Sequence, residues 1–244
     1  FQRFFTFFAF LILVLGLILS YSRAAWIGIF AAVVLAVILK LKIKIKYVIF
    51  SLLIMVSFFF LMKNEIIMKL EKNKQDTSGK ITEHIQSISN ISTDASNLER
   101  INRWQSAFRM FLDRPIFGFG PGTYQFCYAP YQFSYEKTII STNAGNRGNA
   151  HSEYIGPLAE SGIFGLLTVI FIVISTIYTS IKVYNKAKNK KVKLLSFLSL
   201  LGLTTYFVHG FLNNFLDTDK ASVPFWGFIA MIVALDIYHK DKEE

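Results

Sequence analysis

Three polar residues stand where a polar group is costly unless it is used. They are Arg23 in Ser22-Arg23-Ala24, between two apolar runs; Arg100, four residues before Trp104; and His151, which heads His151-Ser152-Glu153-Tyr154 ahead of another apolar run. A guanidinium holds an oxyanion through two parallel hydrogen bonds, and an imidazole titrates near neutrality and can move a proton. Taken singly, each has a plainer account. Arg23 can snorkel from a helix end. Arg100 can pair with Glu99, as Arg103, Arg109 and Arg114 can pair with other carboxylates, and His151 can be an ordinary interfacial side chain. Metal chemistry is not expected: His151-x-Glu153 is the close His/carboxylate pair of this region, with no other His or Cys near it in sequence. Gly118-x-Gly120-x-Gly122 follows a helical pattern and lacks a phosphate-loop Lys, so it is not a nucleotide signature.

The elements that must position these residues are membrane spans. Of 244 residues 53% are hydrophobic and only 17% charged, too few for an ordinary soluble domain. Six runs approach the length needed to cross a bilayer as helix: Phe4–Ser20, Ala24–Leu39, Tyr47–Met62, Ile163–Ile181, Leu194–Phe211 and Val223–Tyr238. The fold class expected is an all-α polytopic membrane protein. It divides into three spans (1–62), a large loop (63–162), and three further spans with a tail (163–244). Because the chain opens at Phe1 inside an apolar run, it reads as the C-terminal part of a longer protein with a larger bundle.

The formal charge of +10 raises the question of a polyanionic partner. Lys40, Lys42, Lys44 and Lys46 in one connection, with Lys182, Lys186, Lys188, Lys190, Lys191 and Lys193 in another, account for all of it. Short Lys-rich connections stay on the cytoplasmic side, which puts the large loop and the Arg23 turn outside. The second cluster carries no recognisable nucleic-acid module, so no nucleic-acid partner is expected. Cys127, the single cysteine, forms no intrachain disulfide and is silent on compartment.

Within the loop, Lys63–Asn97 is polar, with little periodicity beyond Ile81, Ile85 and Ile88. From Leu98, the spacing of Ile101, Trp104, Phe108, Phe111 and Leu112 predicts an amphipathic helix lying on the membrane surface or the bundle. Pro115 ends it, Gly118, Gly120, Pro121 and Gly122 make an irregular turn, Tyr124–Tyr135 is aromatic, and Asn143–Asn149 is a second loop.

In this order and spacing the motifs resemble the O-antigen ligase/polymerase superfamily, from about Ser20 to Leu166. They are Ser22-Arg23, Arg100-x-x-x-Trp104, Asp113-Arg114-Pro115-Ile116-Phe117-Gly118-Phe119-Gly120-Pro121-Gly122-Thr123-Tyr124, Ala150-His151-Ser152-Glu153-Tyr154-Ile155 and Ala159-Glu160-Ser161-Gly162-Ile163-Phe164-Gly165-Leu166. The resemblance implies a bundle of about a dozen spans in the bacterial cytoplasmic (inner) membrane with a periplasmic catalytic loop. It further implies transfer of a glycan from undecaprenyl diphosphate, without a cofactor, to a glycan, a lipid A-core or another hydroxyl acceptor. On this basis Arg23, Arg100 and His151 are the expected catalytic residues, two guanidiniums for the diphosphate and one imidazole for the acceptor hydroxyl. Arg103, Glu153, Glu160 and Tyr124 are the expected substrate-binding ones. His151 is followed by Ser where many relatives have Asn, and Lys63–Asn97 matches no family motif.

The alternative from another class is a non-catalytic polysaccharide transporter or glycan-binding membrane protein. Transporters place ionisable groups inside their spans. Here the charged, aromatic-rich material lies in the external loop, which favours surface chemistry.

Overall fold

A computed structural model describes residues 2–44, 46–48, 50, 53–54, 57–58, 61, 95–138, 141 and 148–239. Much of the Tyr47–Met62 run, nearly all of Lys63–Asn97, most of the Asn143–Asn149 loop and the Lys240–Glu244 tail lie outside them. Among the described residues the fold is all-helical, without strands. The main helices are α1 (Gln2–Leu19), α2 (Arg23–Lys40), α3 (Ala95–Asp113), α4 (Tyr124–Cys127), α5 (Ile155–Lys186), α6 (Lys190–His209) and α7 (Asp219–Tyr238), with 3-10 turns at Ala129–Tyr131, Ser134–Glu136 and Phe215–Asp217. Four of them, α2, α5, α6 and α7, are long and apolar enough to cross a membrane; the apolar stretch of α1, Arg3–Leu19, is shorter.

Small residues bring α2 against α6. Ala24, Gly28 and Ala32 recur every fourth position and are buried, the pattern that lets two backbones approach closely in lipid. At Gly28 a Cβ would stand 2.5 Å from the Thr205 carbonyl oxygen. The groove beside this contact pairs Ile29 to Lys40 with Leu201 to Thr205, so the helices run antiparallel. Arg23, at the start of α2, therefore comes level with the C-terminal end of α6 at His209 and Gly210. Gly28→Leu should force the pair apart, because the obstructing atom is backbone and cannot swing aside. A loss of roughly 1–3 kcal/mol is expected, read as a lower unfolding midpoint in detergent; an unchanged midpoint would contradict the packing.

Serines join α5 to α6. Ser180 Oγ donates to the Ser196 carbonyl at 3.0 Å and Ser196 Oγ to the Ser180 carbonyl at 2.9 Å, both fully buried. Leu203, Phe207, Phe225 and Ile232 form the core between α6 and α7. Lys182 pairs with Asp236 at 2.8 Å, and Val183, Val192 and Leu235 pack together nearby. The ends of α2, α5 and α7 and the start of α6 thus share one end of the bundle. Both lysine clusters lie there, opposite Arg23 and His151.

The break at Gly162 fixes how α5 enters the bundle. Its φ of 63° and ψ of −154° are open essentially to glycine alone, and they separate 155–161 from the apolar run that begins at Ile163. The segment after α3 docks into this break. Ile163 N donates to Pro115 O (2.8 Å), Gly120 N to Glu160 O (2.7 Å) and Phe119 N to Ala159 O (3.3 Å). The two Gly-rich motifs are therefore halves of one joint, made by backbone approach where a Cβ would not fit.

The amphipathic helix is α3, but its buried face differs from the apolar stripe of its sequence. Glu99, Asn102, Arg103, Ser106, Ala107 and Met110 are buried, whereas Ile101, Phe108 and Leu112 are exposed. The polar face turns inward because its partners are there: Asn102 Nδ2 donates to Gln132 at 2.9 Å, and Glu99 accepts from Thr138 at 2.8 Å and from Ser141. The apolar stripe continues through exposed Ile116 and Phe117, and Phe117 packs on Phe164 in the apolar part of α5.

Candidate active site

Ser22 sets the start of α2. Its extended backbone and its Oγ, which accepts from Ala25 N at 3.4 Å, make it the N-cap, leaving Arg23 as the first helical residue. A cation in the first turn opposes the helix dipole, so helix stability alone gives no reason for an arginine there.

Arg103 is held on three sides. Its Nε donates to Glu99 at 2.6 Å, its guanidinium lies 4.0 Å from the centre of the Tyr128 ring, and Gly148 passes so close that a Cβ would collide with it. Tyr124 stacks on Tyr128 and gives its hydroxyl to the Arg103 carbonyl at 2.8 Å. Burial pushes the Tyr124 phenol far up, so it stays a donor. Burial also pushes the Glu99 carboxyl up, but hydrogen bonds from Ser141, Arg103 and Thr138 outweigh that and keep it below the usual carboxylate range. The next two arginines are structural: Arg109 on α3 grips Glu136 and lies 3.7 Å over Phe133, and Arg114, just past the helix, lies over Phe119.

His151 has a left-handed backbone, φ 48°, rare for a residue with a Cβ, and its N–H donates to Asn149 Oδ1 at 3.1 Å. The imidazole lies within electrostatic reach of Arg100 and Arg103. Burial, reinforced by these two cations, depresses its pKa from 6.5 to about 4, so it is a neutral base at physiological pH. Arg100 also lies within electrostatic reach of His209, at the end of α6, which places its guanidinium near both imidazoles. Beside it, Trp104 Nε1 is buried with no hydrogen-bond partner among the described residues.

The two glutamates act as anchors. Glu160 accepts from Gly122 N at 2.9 Å and Tyr124 N at 3.0 Å, capping the turn into α4. Glu153 accepts from the Tyr206 hydroxyl at 2.6 Å and Leu216 N at 2.9 Å, while its own N–H donates to Gly210 O at 2.8 Å. Burial raises the Glu153 pKa against those hydrogen bonds. The segment carrying His151 is thus tied to the end of α6, the level at which Arg23 also lies.

The geometry brings His151, Arg100 and Arg103 together and sets Arg23 at the same end of the bundle. Tyr124, Glu153 and Glu160 support them, with Glu153 and Glu160 also lining an adjoining cleft. Sequence reasoning missed Tyr206 and Leu216, which meet Glu153, and His209, which lies within electrostatic reach of Arg100 and has Asn213 Nδ2 3.4 Å from its Nε2. The available signal was a His-Gly pair ending a span and followed by Asn213-Asn214. No group of three or more metal-ligating side chains occurs among the described residues.

The sequence model of the O-antigen ligase family matches residues 8–170, more than half of the chain. The chain belongs to the O-antigen ligase family. It is also 22% identical over 241 residues to an uncharacterized protein of Haemophilus influenzae (strain ATCC 51907 / DSM 11121 / KW20 / Rd). That alignment covers 89% of this chain, which spans only 54% of the relative's length. No solved structure matches it significantly. The family match takes in α2, α3, the Gly-rich joint and His151, and it ends before α6, so His209 and Asn213 fall beyond it.

Proposed function

We propose that this protein is a membrane glycosyltransferase that moves an oligosaccharide or polysaccharide from undecaprenyl diphosphate to an acceptor hydroxyl, as an O-antigen ligase or polymerase does. The observation that carries the reading is the half-buried His151 imidazole within electrostatic reach of Arg100 and Arg103. In the reaction a bond forms between the acceptor oxygen and the anomeric carbon, and the bond from that carbon to the diphosphate oxygen breaks. The acceptor proton passes to His151, and the electron pair leaves with undecaprenyl diphosphate. Arg100, with Arg103 and Arg23, balances the charge that develops on those oxygens. Arg103, fixed by Glu99 and Tyr128, holds its charge in place beside His151.

The lysine clusters at the opposite end support a site on the outer, periplasmic face of the cytoplasmic membrane. The bilayer, the lipid-linked donor and a glycan or lipid A-core acceptor are the partners this implies. In cells, the full-length gene carrying Arg23→Ala, Arg100→Ala or His151→Ala should fail to restore surface glycan at matched expression. Loss of long chains with linkage intact identifies a polymerase, and accumulation of carrier-linked polymer identifies a ligase. Normal glycan from all three variants would defeat the assignment and leave a glycan-binding or transport role.

A further inference from the structure

Beside His151 is a cleft of about 400 Å³, in the size range of small-ligand sites, whose walls have a chemistry of their own. It reaches His151 through Asn149, Ala150 and Ser152, and Asn149 accepts the His151 N–H. Its polar lining is Tyr124, Gln125, Asn149, Ser152, Glu153, Glu160, Asn214 and Asp217, with no Lys or Arg among the described residues. Glu153 and Glu160 are fixed by the hydrogen bonds described above, so their charges keep their positions whether or not a ligand is bound. Asp217 is held by Asn214 Nδ2 at 2.9 Å. Gly122, Gly148 and Gly156 leave parts of the wall without side chains.

The neighbourhood of His151 is therefore polarised. One side presents Arg100 and Arg103, and the other presents amides and three carboxylates. A diphosphate is attracted to the first and repelled by the second. Fixed carboxylates and amides beside the Tyr124 ring are suited to the hydroxyls of a sugar, and the three carboxylates make a sugar acid costly there.

We propose that this cleft is the acceptor subsite and that it takes a glycan end free of acidic groups, either a neutral sugar or an amino sugar. The assignment rests on the transferase reading above and adds to it the class of acceptor. Hydroxyls bound to the carboxylates and amides put one acceptor oxygen at the His151 end of the cleft. Asp217 and the two anchored glutamates exclude uronates and phosphorylated sugars by like-charge repulsion.

Gly156 provides the cleanest probe. It lies in the first helical turn of α5, and a Cβ there meets only the Ala150 Cβ at 3.8 Å, so a larger side chain is accommodated by the open cleft and not by the packed interior. The experiment uses the full-length protein in nanodiscs with undecaprenyl-diphosphate-linked glycan as donor. The acceptors are two alkyl glycosides that differ only at C6, a glucoside and a glucuronide.

The wild type should prefer the glucoside by about tenfold or more in kcat/KM. Gly156→Leu should raise the glucoside KM by a similar factor while leaving the donor KM within about twofold, and Asp217→Asn should narrow the preference severalfold. Should Gly156→Leu fail to fold, Gly156→Ala and Asp217→Asn carry the same comparison. An unchanged acceptor KM in the Gly156 variants, or a wild-type preference for the glucuronide, overturns the inference while leaving the transferase reading intact. A wild type that releases no carrier with either acceptor overturns both.

Discussion

Gly162→Ala should abolish activity and loosen the packing of residues 113–138 on the start of α5. A Cβ at this position would lie 2.3 Å from Ile116 O and 2.6 Å from Pro115 O, and the backbone conformation itself is one that an L residue adopts at a cost of roughly 1–3 kcal/mol. Both obstructing atoms are main chain, so the segment from Pro115 to Gly120 must lift away as a unit. That releases the hydrogen bonds to Ala159, Glu160 and Ile163, and then the Glu160 cap on the turn into α4. The stacked Tyr124 and Tyr128 lose the anchor that holds them against Arg103.

Gly118→Ala should act in the same way, since its Cβ would meet Glu160 backbone at 2.4 Å. Gly122→Ala is the control. Its φ is also positive, at +73°, but the space around it is open, so it should cost only about 1–2 kcal/mol and leave the loop as protease-resistant as in the wild type. Limited proteolysis of the loop together with glycan product separates the cases. A Gly162→Ala protein as active and as protease-resistant as wild type would show that the joint is not what organises the site.

His151→Ala should reduce turnover by about 10²- to 10⁴-fold, the usual contribution of a positioned general base. The pH profile carries more information. With the free-enzyme pKa near 4, kcat/KM should be level from pH 6 to 8 and fall only near pH 4, well below the 6.5 of an ordinary histidine. Binding the donor brings negative charge beside Arg100 and Arg103, offsets the cations that depress the imidazole, and makes it a stronger base. The acid limb of kcat should therefore lie above that of kcat/KM. Arg100→Ala should raise the free-enzyme limb only in part, because burial is the larger cause of the depression.

The sign of the stability effect follows. Between pH 6.5 and about 4 the unfolded chain binds a proton at His151 that the folded chain does not, so stability is full above 6.5 and declines as the pH falls through this window. An acid limb at 6.5 in kcat/KM, unmoved in kcat, would contradict this account of the base.

The four helices long and apolar enough to cross a membrane were legible, and Arg23, Arg100 and His151 were conspicuous, because each depends on local pattern. Apolar length marks a helix in lipid, and a lone cation or imidazole at its end is conspicuous. The helix α3 was legible in extent but not in orientation. Its stripe of Ile101, Phe108 and Leu112 marks an apolar face, whereas Glu99, Asn102 and Arg103 are met by Tyr128, Gln132, Thr138 and Ser141, in a stretch whose sequence carries no helical periodicity.

The Gly-rich joint was visible only as two separate turns. Nothing in Asp113–Tyr124 or Ala159–Leu166 alone says that Gly118 meets Glu160 and Gly162 meets Ile116. The anchoring of Glu153 by Tyr206 and Leu216, and the approach of His209 to Arg100, join positions more than fifty residues apart or on different elements, and these follow from tertiary packing alone.

The central claim is a division of labour, with guanidiniums binding the donor and the imidazole moving the acceptor proton. It is tested most directly by measuring donor binding and single-turnover transfer on the same purified full-length protein, comparing Arg100→Ala with His151→Ala. The account predicts that Arg100→Ala weakens donor binding and slows transfer, whereas His151→Ala binds donor as the wild type does and fails to transfer. Transfer at the wild-type rate by His151→Ala, or undiminished donor affinity in Arg100→Ala, would contradict it.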